Sequence, residues 1–261
     1  MSIPTSKKCL SCAIAALTLI GFSSCSKDDD PDSNNPTDKF SEFVGEWEGD
    51  MGDFMFFNDG NAKQISNNDK VTFGKWTFDK ETRILATTVN DWQFQVTLSS
   101  NDSWAAANLA GTQTYSFERE DEDEDYFYDL LLGATCTDET GEVTKVGGME
   151  SARIHSGSKE SAYGLSFPGL NGYLIFTEKE DSEKTHEFYY RLCSREYRYF
   201  TSPYNQSYYY FQTSHSGTAK FTDIYSSTKC KLEIVSDDEN KEDIIRHTFI
   251  IDNTKQTNSN N

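Results

Sequence analysis

"DWQFQVTLSS", residues 91–100, is the stretch on which the fold class turns. Trp92, Phe94, Val96 and Leu98 share one parity, and Gln93, Gln95, Thr97 and Ser99 share the other. Successive side chains of an extended chain point to opposite faces, so this period of two predicts a strand with one buried and one wet face. The same grammar extends outward. "FMFFNDGNAKQI", residues 54–65, reads as two strands about an Asp59–Gly60 turn, a short-range hairpin signal. "TFGKWTFDKETRILATT", residues 72–88, repeats the device, with a polar turn from Asp79 to Thr82 between Trp76 and Ile84. Beyond residue 24 no segment shows the 3.6-residue period of an amphipathic helix. The expected fold class is all-β and antiparallel.

Residues 126–255 read as further strands: "YFYDLLLGATC", "YGLSFPGLNGYLIF", "HEFYYRLC", "SYYYFQTSHSGTAKF", "KCKLEIV" and "HTFIID". Asn171–Gly172 between two apolar runs is a hairpin signal. "YYYFQTSHSGTAKF" echoes "FMFFNDGNAKQI": an aromatic strand, a polar turn with glycine, a small residue and a lysine. "RLCSREYRYF" echoes the earlier "FVGEWEGD" in the same way. This second β domain reads either as a diverged copy of the first or as part of one larger sandwich. Between the two, "FEREDEDEDYF" carries seven acids from Glu118 to Asp125. Calcium takes several carboxylate oxygens, but in loops with alternating ligands and a glycine. The run has neither, so residues 120–125 read as a solvated acidic linker. Residues 256–261 form a polar tail expected to be disordered.

The amino end carries a different message. Lys7 and Lys8 precede "CLSCAIAALTLIGF", residues 9–22, which is shorter than the roughly 20 residues of a membrane-spanning helix. A basic start, a short apolar core and small residues before a cut site predict a secretory signal over residues 1–24. "FSSC", residues 22–25, followed by "SKDDD", resembles the lipobox and export signal of Bacteroidetes-type surface lipoproteins. Phe22 departs from the Leu or Val more usual there. That resemblance implies cleavage before Cys25, acylation of its thiol and new amino group, and display on the outer face of the outer membrane. Two or more acyl chains give stable anchoring where one is marginal. Residues 25–39, rich in Asp, Asn and Pro, read as a lipidated flexible tether.

A second resemblance covers residues 40–119. "FVGEW", "FMFFNDGNAK", "FGKWTFD", "WQFQVTLS" and "TYSFERE" follow in the order found in the lipocalin-like domain of many lipoproteins of that group. The resemblance implies a small up-and-down β-barrel. Trp47, Phe56, Trp76, Trp92 and Phe94 are bulky, and a small barrel has room for little beyond its own side chains. The expectation is therefore a solid interior and no greasy internal ligand.

Charge and composition narrow the function. The 261-residue chain has a formal charge of −19, and loss of the signal removes two lysines and no acid. So negative a molecule repels phosphate backbones, which excludes nucleic acid as a partner. Cys9 and Cys12 leave with the signal, so Cys136, Cys193 and Cys230 remain. Their odd number leaves room for one disulfide beside one buried thiol, with the pairing open. No metal or cofactor is implied: His155, His186, His215 and His247 are scattered, and no nucleophile elbow or phosphate-cradling loop occurs. Paired carboxylates of the glycoside-hydrolase kind are abundant by chance alone in a chain with 43 acids. The reading is a non-enzymatic binding module for a glycan or other nutrient. Its alternative is an accessory interaction protein beside an outer-membrane partner. Sugars bind on exposed aromatic faces flanked by polar groups, and "REYRYFTSPYNQSYYYF", residues 195–211, offers Tyr197, Tyr199, Tyr204, Tyr208 and Tyr210 near Asn205 and Gln206, with Tyr204, Tyr208 and Tyr210 as the candidates. Trp104, just after an Asn-Asp-Ser turn, is a fourth. Tyr208 and Tyr210 also fit as inward-facing strand residues.

Overall fold

The computed structural model describes residues 42–68, 70–98, 102–154, 160–200, 206–237 and 246–254. The signal, Cys25 and the tether lie outside them, as does Tyr204. The first element is a closed eight-stranded antiparallel barrel. Its strands are β1 (Gly45–Gly49), β2 (Asp53–Phe56), β3 (Asn61–Ile65) and β4 (Val71–Asp79), followed by β5 (Ile84–Thr87), β6 (Trp92–Leu98), β7 (Ser103–Asn108) and β8 (Thr114–Arg119). Each strand pairs with the next, and β1 closes on β8 through Trp47↔Arg119, Glu48↔Glu118 and Gly49↔Phe117. The Asp59–Gly60 and Asp79–Thr82 turns fall between β2 and β3 and between β4 and β5, as the turn chemistry predicts.

The barrel's interior is filled. Trp47, Phe54, Trp76, Trp104 and Phe117 are all buried there. Trp104 stacks on Phe117 with centroids 4.1 Å apart and meets Trp47 edge-on at 5.9 Å. Gly49 makes this packing fit, because a Cβ there would stand 2.3 Å from the Phe117 ring. Phe94 and Val96 of β6 point inward and are buried, while Gln93, Gln95 and Thr97 face water. The quoted period of two is realised from Gln93 to Thr97.

The acidic run is not a linker between strands. Asp123 accepts from the backbone N–H groups of Asp125 (2.9 Å) and Tyr126 (3.3 Å) and caps a helix, α1 (Glu124–Leu131). Cap and first-turn acids are a favourable helix start. Tyr126, Phe127, Leu130 and Leu131, at helical spacing, are buried. The segment has strand-forming residues but folds as a helix because its apolar positions then converge on one core.

After α1 come β9 (Thr135–Thr137), β10 (Val143–Lys145), β11 (Met149–Arg153), β12 (Ser161–Phe167) and β13 (Gly172–Glu178). They are followed by β14 (Glu187–Phe200), β15 (Gln206–Thr222), β16 (Lys231–Ser236) and β17 (Arg246–Asp252). These nine strands form a second sheet, antiparallel but for a single parallel bridge. β11 to β15 return on themselves, since β15 pairs along β14 and also meets β11 at that bridge, Arg153↔Tyr210. The topology is not the eight-stranded up-and-down ring of the first part. The repeat expected at "FQTSHSGTAKF" is also absent, because those residues continue through β15 with a register shift against β14 but no turn. Gly217 marks a close approach, not a bend: a Cβ there would fall 2.0 Å from the Val235 carbonyl oxygen on β16. Cys136, Cys193 and Cys230 are buried free thiols, so no disulfide joins them.

The two parts share a core. Met55, Phe57 and Ile65 of the first part belong to the same buried cluster as Phe127, Leu130, Phe188 and Phe221 of the second. The Asp59 turn also docks on the chain at 225–227. Asp59 Oδ2 accepts from Ser227 N (3.1 Å) and Ser227 Oγ (2.8 Å), and Asn58 N donates to Tyr225 O (2.9 Å).

Candidate functional site

Two places concentrate chemistry. The first is the far half of the β14–β15 pair. Here period two sends Tyr197 and Tyr209, directly opposite in register, to one face. They remain 58% and 47% exposed, with ring centroids 5.3 Å apart. The Arg195 guanidinium lies 3.9 Å from the centre of the Tyr209 ring and pairs with Glu150. Arg198 donates to Glu196 at 3.0 Å on the other face. The arm thus offers an aromatic surface edged by planar charged groups.

Of the tyrosines chosen from this segment, Tyr204 lies outside the described residues and the other two are placed differently. Tyr210 is buried, beside the β11 bridge. Tyr208 is half-buried, and the Arg153 guanidinium covers its ring at 3.5 Å. Trp104 is buried in the barrel, where its indole packs on Phe117. Neither Tyr210 nor Trp104 presents a face to a ligand in solvent. Tyr209 sits between two candidates, and strict alternation along "SYYYF" is the signal that would have found it. Choosing the parity required knowing which face of β15 is covered in the folded chain.

The second place is an acidic cavity of about 310 Å³ on the outside of the barrel, beneath α1. Glu46 and Glu48 of β1, Asp53 of β2, Glu120, and Asp125, Tyr126 and Asp129 of α1 line it. Glu46 has outward parity, opposite to the buried Trp47, yet is only 3% exposed because α1 covers that side. Its Oε2 is buried without a hydrogen-bond partner. Burial first, then the charges of Asp129 and Asp53, hold Glu46 protonated well above the usual carboxylate range. Burial, Asp129 and Glu48 push Asp53 up to about 6. Burial and a hydrogen bond with Glu48 push Glu120 up to about 7.

Lys63 stands behind this wall and is wholly buried. Its Nζ donates to the backbone carbonyls of Asp129 and Leu130 (the latter at 3.2 Å) and to Asn253 Oδ1 at 3.2 Å. A lysine here satisfies carbonyls at the C-terminal end of α1 and opposes the helix dipole. Burial lowers its pKa to about 8 against the opposing pull of Asp129 and Glu46. Its donors are spent on the helix and on Asn253.

Comparison with family models, with characterised proteins and with solved structures finds no match. Among the described residues, no group of three histidine, cysteine or acidic side chains is placed to hold a metal ion. No described helix is long and apolar enough to cross a membrane.

Proposed function

We propose that this chain is a lipid-anchored surface binding module of the outer membrane, tethered through Cys25 and contacting a glycan with its β14–β15 arm. The exposed Tyr197–Tyr209 pair carries the reading of the arm. Large exposed aromatic faces on a monomeric surface mark contact sites, and an aromatic ring packs well against the C–H face of a sugar while neighbouring Arg195 and Glu150 meet its hydroxyls. The export-signal pattern at residues 7–30 and the resemblance to Bacteroidetes-type lipoproteins support the anchor. The strong negative charge supports a life in solvent outside the cell. A solid barrel interior leaves the outer surface as the place for a ligand.

A glycan array probed with the full chain and with a Tyr197→Ala/Tyr209→Ala double variant tests the arm. The expected result is glycan binding weakened at least tenfold in the variant; an array with no binding, or equal binding by both proteins, overturns it. For the anchor, Cys25→Ala is expected to move the protein from the membrane to the soluble fraction and abolish incorporation of a labelled fatty acid.

A further inference from the structure

We infer that the acidic cavity beneath α1 binds an organic ammonium ion, a small amine or polyamine held by Glu46, Asp53, Glu120 and Asp129. This does not rest on the glycan reading. Six of the seven lining residues are carboxylic acids, and no Lys, Arg or His is among them. A group of acids on a surface is ordinarily water's business. Here, however, one member is buried to 3% exposure with an oxygen that no donor reaches, and an unpaired buried carboxylate oxygen is costly. The carboxyl groups of Glu46, Asp53, Glu120 and Asp129 are gathered in this one cavity. Crowding of like groups favours retained protons, so a bound cation would relieve it by replacing them.

The nearest internal cation cannot serve, since Lys63 has its donors committed to the carbonyls of α1 and to Asn253. The shape favours an organic ligand over a metal ion. About 310 Å³ is at the lower end of small-molecule pockets and far exceeds a bare ion. The described side chains also provide no chelating group of three. An ammonium head offers three rotatable donors to oxygens on different elements, and Tyr126 adds one aromatic wall suited to a cation.

Calorimetric titration of the full chain with spermidine at about 0.15 M ionic strength tests this, with calcium chloride and the neutral 1,5-pentanediol as parallel probes. Saturable one-to-one spermidine binding is expected, weakened at least tenfold by Glu46→Gln and by Asp53→Asn. Neutralising exposed acids elsewhere, Glu180→Gln/Glu183→Gln, should leave it unchanged. Circular dichroism checks each variant's fold, and Asp53→Asn, at the half-buried position, carries the test should Glu46→Gln fail to fold. Absence of saturable heat overturns the inference. So does equal weakening by the distant pair, which would mean diffuse attraction to a negative surface. Calcium binding with the same residue dependence would replace the amine by a metal and overturn it as well.

Discussion

β6 and β3 are strands of the same barrel and meet opposite fates. On β6 the inward Phe94 and Val96 are buried and the outward Gln93, Gln95 and Thr97 are wet. On β3 all five residues are buried, Lys63 and Gln64 included. The inner face of either strand is set by the barrel, but the outer face of β1 to β3 is roofed by α1 and the second sheet. Burial of the second face turns ordinary surface groups into Glu46 and Lys63, a carboxyl and an amine removed from water. One side of a single barrel is a solvated wall, and the other is an electrostatically loaded interface.

The comparison can be broken most forcefully from inside, where both sides share one core. Trp104→Ala removes an indole stacked on Phe117 and is expected to cost about 3–5 kcal/mol, read by chemical denaturation. Loss should appear in both parts of the molecule at once, because Met55, Phe57 and Ile65 tie the barrel to the second core. Two separate transitions would show that the shared core does not couple them.

On the roofed side alone, Lys63→Ala strips the donor from the carbonyls of Asp129 and Leu130. A cost of about 2–3 kcal/mol is expected in the same measurement, because buried acceptors are left unsatisfied. Thr97→Ala on the wet side of β6 should stay within about 0.5 kcal/mol and serves as the reference.

The smallest effect sharpens the electrostatic contrast. Asp53 is pushed up to about 6 in the folded chain, above its unfolded value, so the folded state holds the proton more tightly. Stability is then highest below about pH 4 to 5 as far as this group is concerned, and falls as pH rises through 6. Asp53→Asn should flatten that slope and raise stability at pH 8 by about 1 kcal/mol, after allowance for partial solvent screening. Denaturation midpoints at pH 5 and pH 8 check it; an unchanged slope would show that Asp53 is ionised freely in the native state.

Legibility followed the same divide. The period over residues 92–97, the Asp59–Gly60 hairpin and the Asp79–Thr82 turn all name local structure, and each stands where the residues put it. The helix at Glu124–Leu131 was obscured because Tyr, Phe and Leu satisfy strand and helix alike over so short a span, although Asp123 and the acids after it form a cap. The apparent turn in β15 failed for a related reason. Glycine at 217 answers to the Val235 carbonyl on a neighbouring strand, a contact invisible along the chain. Of the aromatic surface, the right segment was readable, but not which parity faces solvent: Tyr209 and Tyr197 do, while Tyr210 is buried. Nothing local marked Glu46, whose parity points away from the barrel core.

The amino acids by themselves determined that this chain builds antiparallel strands and where several of its turns fall, since alternation and turn chemistry act over a few residues. Only the tertiary structure decided that the ring closes with eight strands, that a helix roofs one side and buries Glu46, and which tyrosines of the β14–β15 arm stay exposed. Burial on the second face of a strand depends on elements up to 190 positions away, as in the contact from Lys63 to Asn253, and periodicity records one face at a time.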